Sequence, residues 1–446
     1  MCLAAVACSG TDLDRGDSAW RYATGVDAGS VDAGRGDAGH HDGAIDGAYL
    51  ADAGVADATR DAHAVGDADC DNEPNTLIAC VVDGPRVTAR VPVMDYEFGR
   101  SVGLDGDTLV VGGGFVYARV GDAWPEQAHL TGNGPTGVVA LREGAAISGD
   151  TAVFGRGEDG AVYVFVRNGT VWTQQARIDA VLGATWLDRI GVAVSGDTLA
   201  IGEQGVVHVL VREGSTWIEQ ARLTATDQDL GDGLYGAVAI SGDTIVVAGY
   251  RAADPRAGVG AAFVFVRDGD TWSQQARLVP SMDPVECFRC GAEIGFGSSV
   301  AISGDTIAVG ASGERSNATG VNGSNNTGNP VGSGAAYVFV RAAGRWSQQA
   351  RVRPEEPLVE NSGVTGFGIA VAVSGDDMVI GAPGSGWYPR VYVFGRYARG
   401  WSERFFVAGG ERVGGWFASS LAVSGGTLAV GNWADDDGVG AVYVLR

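Results

Sequence analysis

The chain contains no lysine: all 31 of its basic residues are arginine. That excludes Schiff-base lysine chemistry, a phosphate-binding P-loop lysine and a buried amine base. Histidine is nearly as scarce. Of five, His40, His41 and His63 fall in a low-complexity arm, which leaves His129 and His208 for a folded body. An active site built around histidine is therefore not expected. No run of about 18 apolar residues exists, so nothing reads as a membrane-spanning helix. Positive charge is outweighed by 54 acids, giving a formal net charge of −23 and a pI near 4.5. Nucleic acid, which needs a basic footprint, is excluded as a partner, and tight binding to anionic membrane surfaces is disfavoured. Gly-x-Ser-x-Gly, His-Glu-x-x-His and P-loop patterns are all missing.

What is abundant is glycine, 72 of 446 residues, in a chain that is 45% hydrophobic and 19% charged. The apolar content suffices for a large core, and no Gly-X-Y period points to collagen. Residues 9–79 are built from Asp, Ala and Gly, and residues 1–80 hold 15 acids against 4 arginines. So little apolar surface cannot offset the entropy of ordering, and the segment reads as a disordered linker over residues 9–81. The Arg15-Gly16-Asp17 and Arg35-Gly36-Asp37 triplets are chance products of that composition. Ahead of it, Leu3-Ala4-Ala5-Val6-Ala7-Cys8 resembles the tail of a bacterial lipoprotein signal. The resemblance implies a signal remnant over residues 1–8, lipidation of Cys8, and an outer-membrane or cell-surface location with contact to the membrane only through the lipid. Secretion is the alternative.

The main signal is an internal repeat. Ser-Gly-Asp-Thr recurs at 148–151, 195–198, 241–244 and 303–306, with degenerate copies at 105–108, 374–377 and 424–427. Each of the seven copies has one grammar. An apolar strand A leads into the Ser-Gly-Asp turn, where Gly tolerates the positive φ of a tight hairpin. Strand B follows, then a variable loop, strand C (Ala336-Tyr337-Val338-Phe339-Val340-Arg341), a second tight turn, and strand D (Trp272-Ser273-Gln274-Gln275-Ala276-Arg277-Leu278). Four antiparallel strands repeated radially make a β-propeller. The seventh copy stops after strand C, at Val442-Tyr443-Val444-Leu445-Arg446, and an orphan strand at Arg86-Val87-Thr88 precedes the first. The fold expected is all-β: a seven-bladed propeller of four-stranded blades over residues 82–446, closed by the N-terminal strand completing the last blade.

Phe98-Gly99, Phe296-Gly297 and Phe367-Gly368 open three copies, and Gly381-Ala382-Pro383 closes a strand B. These copies resemble FG-GAP repeats, the unit of the seven-bladed integrin α-chain propeller and of many bacterial surface proteins. The resemblance implies a binding or adhesion module. It also implies calcium in an Asp-rich A–B loop, but here that loop is only Ser-Gly-Asp, too short for the six to eight oxygens calcium takes. Its aspartate reads as an Asx-type turn former.

Other candidates are few. Asp227, Asp229 and Asp232, and Asp435, Asp436 and Asp437, form acidic loops that could hold calcium or simply be solvated; no cofactor is required. The once-per-blade tryptophans (Trp124, Trp172, Trp217, Trp272, Trp346, Trp401) read as packing rather than as a sugar platform. Cys70 and Cys80 could pair; Cys287 and Cys290 form a Cys-x-x-Cys better suited to a local disulfide than to zinc, which needs a second pair. The D–A and B–C loops share one face and are long and irregular, so individuality is expected there. The Asn-rich loop 311–334, with Asn317, Asn322, Asn325 and Asn326, is its expected centre. The function expected is recognition of a protein or glycan by a monomeric propeller; the alternative is a lyase- or glycosidase-type enzyme with paired carboxylates in the propeller mouth.

Overall fold

A computed structural model describes residues 78–81, 86–88 and most of 98–446; within the latter, 143, 156–158, 180–190, 204, 226–232, 251–259, 282–294, 315–317, 324–333, 356–365, 385–388, 410–415 and 435–439 lie outside the description. The described chain is all-β. Seven sheets of four antiparallel strands follow one another, over residues 102–129, 145–178, 191–223, 233–278, 296–352, 371–408 and 417–445. In blade five, strand A is Phe296–Ser303, B is Thr306–Ala311, C is Ala335–Ala342 and D is Arg345–Val352. Every strand A lies against the strands A of its two neighbours, and that of blade seven lies against that of blade one. The strands A therefore line the centre of a ring.

Stacking sheets around a ring buries both faces of the inner strands. This is why strand B of blade five is buried at all six residues instead of alternating. The core is accordingly a series of clusters between blades. Val246 and Val264 of blade four meet Phe296, Ile307, Val309 and Tyr337 of blade five. The closing cluster joins Val87, Val442 and Val444 to Phe98, Leu109 and Val111 of blade one. Each buried apolar side chain of this size contributes on the order of 2 kcal/mol.

The ring closes as the strand count predicts. Blade seven has strands Phe417–Ser424, Thr427–Asn432 and Ala441–Leu445, and Arg86–Val87 supplies the fourth, antiparallel, with Arg86 opposite Tyr443 and Val87 opposite Val442. A strand not predicted from sequence lies just upstream. Ile78–Val81 pairs in parallel with Phe405–Ala408 and gives blade six a fifth, outer strand. Its four residues fall inside the 9–81 segment read as linker; their short apolar run is masked in sequence by the Asp-rich stretch before it.

Candidate functional site

The antiparallel order puts the A–B and C–D hairpins on one face of the ring and the D–A and B–C loops on the other. On the hairpin face every residue of Ser-Gly-Asp has a bonding role. The serine of one blade accepts the turn-glycine N–H of the next: Gly196 to Ser148 (3.0 Å), Gly242 to Ser195 (3.1 Å), Gly304 to Ser241 (3.1 Å), Gly375 to Ser303 (3.0 Å). Gly106 to Ser424 (3.1 Å) carries the series across the closure. The aspartate does not form an Asx turn as its type suggested. It accepts from the arginine ending strand C of its own blade: Arg167 to Asp150 (2.8 Å), Arg212 to Asp197 (2.7 Å), Arg341 to Asp305 (2.6 Å). The guanidinium then reaches the preceding blade, where it donates to the threonine opening strand B, as Arg212 does to Thr151 at 3.0 Å. It also lies over the strand D tryptophan of its own blade, 5.2 Å from the Trp217 centroid.

Strand D reads just as fully. In blades one to five strand D carries a bulge at the glutamine three residues after its tryptophan; in blade two Val164 opposes Ala176 and Phe165 opposes Gln174, leaving Gln175 as the extra residue. The bulge turns that glutamine toward the next blade, where it accepts the indole N–H: Trp172 to Gln127 (2.8 Å), Trp217 to Gln175 (2.9 Å), Trp272 to Gln220 (2.8 Å), Trp346 to Gln275 (2.7 Å), Trp401 to Gln349 (3.0 Å). The first glutamine accepts a backbone N–H from the D–A segment of the preceding blade, as Gln174 does from Asn133 and Gln348 from Ser281, both at 2.7 Å. The tryptophans are packing residues, as expected, and interblade fasteners besides.

On the loop face the arginine two residues past the bulged glutamine meets, in blades two and five, the strand C tyrosine and an acid of the B–C loop. In blade two Tyr163 donates to Asp159 at 2.8 Å and Arg177 donates at 3.0 Å. Burial opposes ionisation of Asp159, but the hydrogen bonds from Tyr163, the Ala161 N–H and Arg177 outweigh it and hold the carboxyl below its ordinary range. In blade five the acid is Glu314, almost wholly buried. It accepts from Tyr337 at 2.8 Å and lies 3.7 Å from Arg351 and 3.6 Å from Arg353. Blade three substitutes His208, buried, with Nδ1 2.6 Å from Glu219 and Nε2 3.8 Å from Glu203. Hydrogen bonding from Arg222, against burial, keeps the Glu219 carboxyl low. The clusters of blades two and five fasten B–C loops to the outer strands, and that of blade three ties strands B, C and D together. His129, the other histidine of the folded body, stacks on Phe115 at 4.1 Å.

Most residues singled out from sequence lie outside the described residues: Cys8, Cys70, Asp227, Asp229, Asp232, Cys287, Cys290, Asn317, Asn325, Asn326, Asp435, Asp436 and Asp437. Cys80 sits in the edge strand on blade six, opposite Val407. Asn322 is described, and it folds back onto strand D of blade five. Its N–H donates to the Arg351 carbonyl and its Oδ1 accepts the Arg351 N–H, both at 2.8 Å, with the backbone left-handed at φ +56°. Among the described residues no three His, Cys, Asp or Glu side chains gather to hold a metal ion.

Sequence reading missed one pair. Trp416, just before strand A of blade seven, and Trp433, just after its strand B, sit with ring centroids 5.0 Å apart and planes tilted by 33°. Trp416 is 46% exposed. The signal was available: these two tryptophans stand outside the once-per-blade series.

No curated protein matches the chain. Residues 217–265, from strand D of blade three to strand C of blade four, and 291–339, through strand C of blade five, match the FG-GAP repeat, so the closed ring is a seven-bladed propeller carrying repeats similar to that family's.

Proposed function

We propose that this propeller is a binding module of the cell surface or the extracellular space, recognising a protein or a glycan through the face that carries its D–A and B–C loops. One observation carries the reading. On the hairpin face the repeated serine, glycine, aspartate and arginine are committed to holding blades together, blade after blade. The loop face holds the residues that differ from blade to blade, such as Glu314, His208 and Trp416. A scaffold uniform on one side and individual on the other is built to present the individual side.

Lipidation of Cys8 would tether the module, with residues 9–76 as an acidic spacer and the propeller acting as a monomer. Replacing Cys8 with serine would then release the protein from the membrane fraction; retention would contradict the anchor. Calcium, if used, would act at 227–232 or 435–437, and a chelator would lower the melting temperature.

The face is tested with the full chain on an array of immobilised oligosaccharides and against a displayed peptide library. Shortening 324–330 to two glycines changes the loop face; Asn168→Arg with Ala342→Arg changes the hairpin face. The reading predicts that ligand capture tolerates the arginines and responds to loop-face changes, including the shortened loop or substitutions at Trp416. Capture abolished by the hairpin-face arginines alone would overturn it.

A further inference from the structure

In a repeat protein each blade is a control for the others. The A–B ladder of blade seven pairs Phe417 with Asn432, and one step further out stand Trp416 and Trp433. At the same two register positions blade one has Glu97 and Gly114, blade four Gly233 and Tyr250, blade five Gly295 and Ser312, and blade six Gly366 and Pro383. Those blades close without a tryptophan pair, so packing the ring does not require one. The strand D tryptophans recur and are explained by their partners; Trp416 and Trp433 do neither.

Next to the pair in the chain stand two buried polar groups without partners. Asn432 occupies the place of Ala311 in blade five and is completely buried. Its Oδ1 accepts the Ala434 N–H at 3.3 Å, which fixes the amide orientation and leaves Nδ2 without an acceptor. Ser419, whose N–H donates to the Trp416 carbonyl at 3.2 Å, has a buried hydroxyl with no partner. Its counterpart in blade five, Ser298, donates to the Gly368 carbonyl at 3.0 Å. A buried donor left unmatched is costly unless something supplies the acceptor.

We propose that Trp416 and Trp433 form a stacking platform for a neutral saccharide ring, and that the Asn432 amide and the Ser419 hydroxyl, closed to solvent in this structure, are uncovered to serve the sugar's oxygens when it binds. A pyranose offers an apolar C–H face to indole and acceptor oxygens at its rim. The unmatched amide is a donor, which suits hydroxyl and ring oxygens and offers nothing to an ammonium or guanidinium group. The inference rests on the loop-face reading and gives it a ligand class and a place.

The test uses the full chain on immobilised neutral hexasaccharides derived from glucans, mannan, xylan and chitin, with an arginine-rich peptide as a second probe. The expected result is capture of at least one saccharide. Trp416→Ala should weaken it about tenfold, the worth of one stacked ring, while Trp416→Tyr keeps most of it and neither changes the melting temperature. Asn432→Ala, which restores the residue of blade five, should fold and bind more weakly. In the unsubstituted protein the bound saccharide should protect Trp416 from oxidation by N-bromosuccinimide, a readout independent of any variant's folding. Capture of no saccharide, unprotected Trp416, or Trp416-dependent capture of the peptide instead would overturn the proposal. Saccharide binding that survives Trp416→Ala but is lost when 324–330 is shortened would overturn this site and leave the loop-face reading standing.

Discussion

Trp217 of blade three donates its indole N–H to Gln175 of blade two across 2.9 Å, and Arg212 lies over the same ring. One side chain thus joins two blades by a hydrogen bond while it packs, 8% exposed, against its own. Trp217→Phe keeps most of the apolar area but removes the donor and leaves Gln175 without it. The expected loss is about 1–2 kcal/mol of unfolding free energy, measured by urea denaturation, and Gln175→Leu on that background should recover part of it. A loss of similar size from Gln175→Leu alone in the presence of Trp217, with no recovery in the pair, would show that the two residues act separately.

The glycines that name the repeat do their work between blades. A Cβ on Gly310 would lie 1.9 Å from the Gly368 carbonyl oxygen of blade six, and one on Gly431 would lie 2.1 Å from the Gly99 oxygen of blade one. Backbone cannot yield as a side chain can, so Gly310→Ala should cost about 3 kcal/mol or more.

Blade seven offers the converse. Ala418 stands where blades one, five and six have Gly99, Gly297 and Gly368, and it is held at φ +70°. A non-glycine residue there is strained by about 1–2 kcal/mol, so Ala418→Gly should raise stability by roughly 0.5–1 kcal/mol after the greater entropy of the unfolded glycine is deducted. A lowered midpoint would refute that account of the strain.

The acid limb of stability should carry the Asp159 cluster. Although burial works against its charge, the bonds from Tyr163, Ala161 and Arg177 depress its folded pKa. Its contribution is therefore complete above the ordinary carboxyl value, about pH 4, and fades as the pH falls through the lower folded value. Asp159→Asn should narrow the stability gap to the parent protein between about pH 5 and pH 2.5. For Tyr163 burial and Asp159 raise the pKa, so its share holds below about pH 10 and fades as the pH rises past it. A gap that is constant from pH 3 to pH 8 would rule the cluster out as a source of acid sensitivity.

Much of the ring was legible because the same local chemistry is written seven times. Ser-Gly-Asp, Trp-x-Gln-Gln and the Tyr-Val-Phe strand gave the strands, their order and the closing strand. What the serine, the tryptophan and the bulged glutamine bond to was not legible, since each of those partners lies in the neighbouring blade, 42 or more positions away. The departures prove as informative as the repeats. Blade six reads Asp377 for the usual threonine, Gly395 for valine and Arg404 for the bulged glutamine. Arg404 lies across Gly395 and donates to Asp377 at 2.7 Å and to Tyr397 at 3.1 Å. The three changes belong together at the one seam where the adjoining outer strand, Arg86–Val87, offers no tryptophan. The edge strand Ile78–Val81 escaped because four apolar residues carry no period of their own, and the Trp416–Trp433 pair because tryptophans were read as one series.

Closure of the ring is tested most directly by a cross-link. With the native cysteines replaced by serine, Val87→Cys and Val442→Cys place two thiols directly opposite each other on antiparallel strands. Mild oxidation should yield an intramolecular disulfide in nearly every molecule and raise the unfolding midpoint, by restricting a loop of over 350 residues in the unfolded chain. Free thiols after oxidation, or disulfides only between molecules, would mean that residue 87 and residue 442 are not partners and that the ring is not closed in this way.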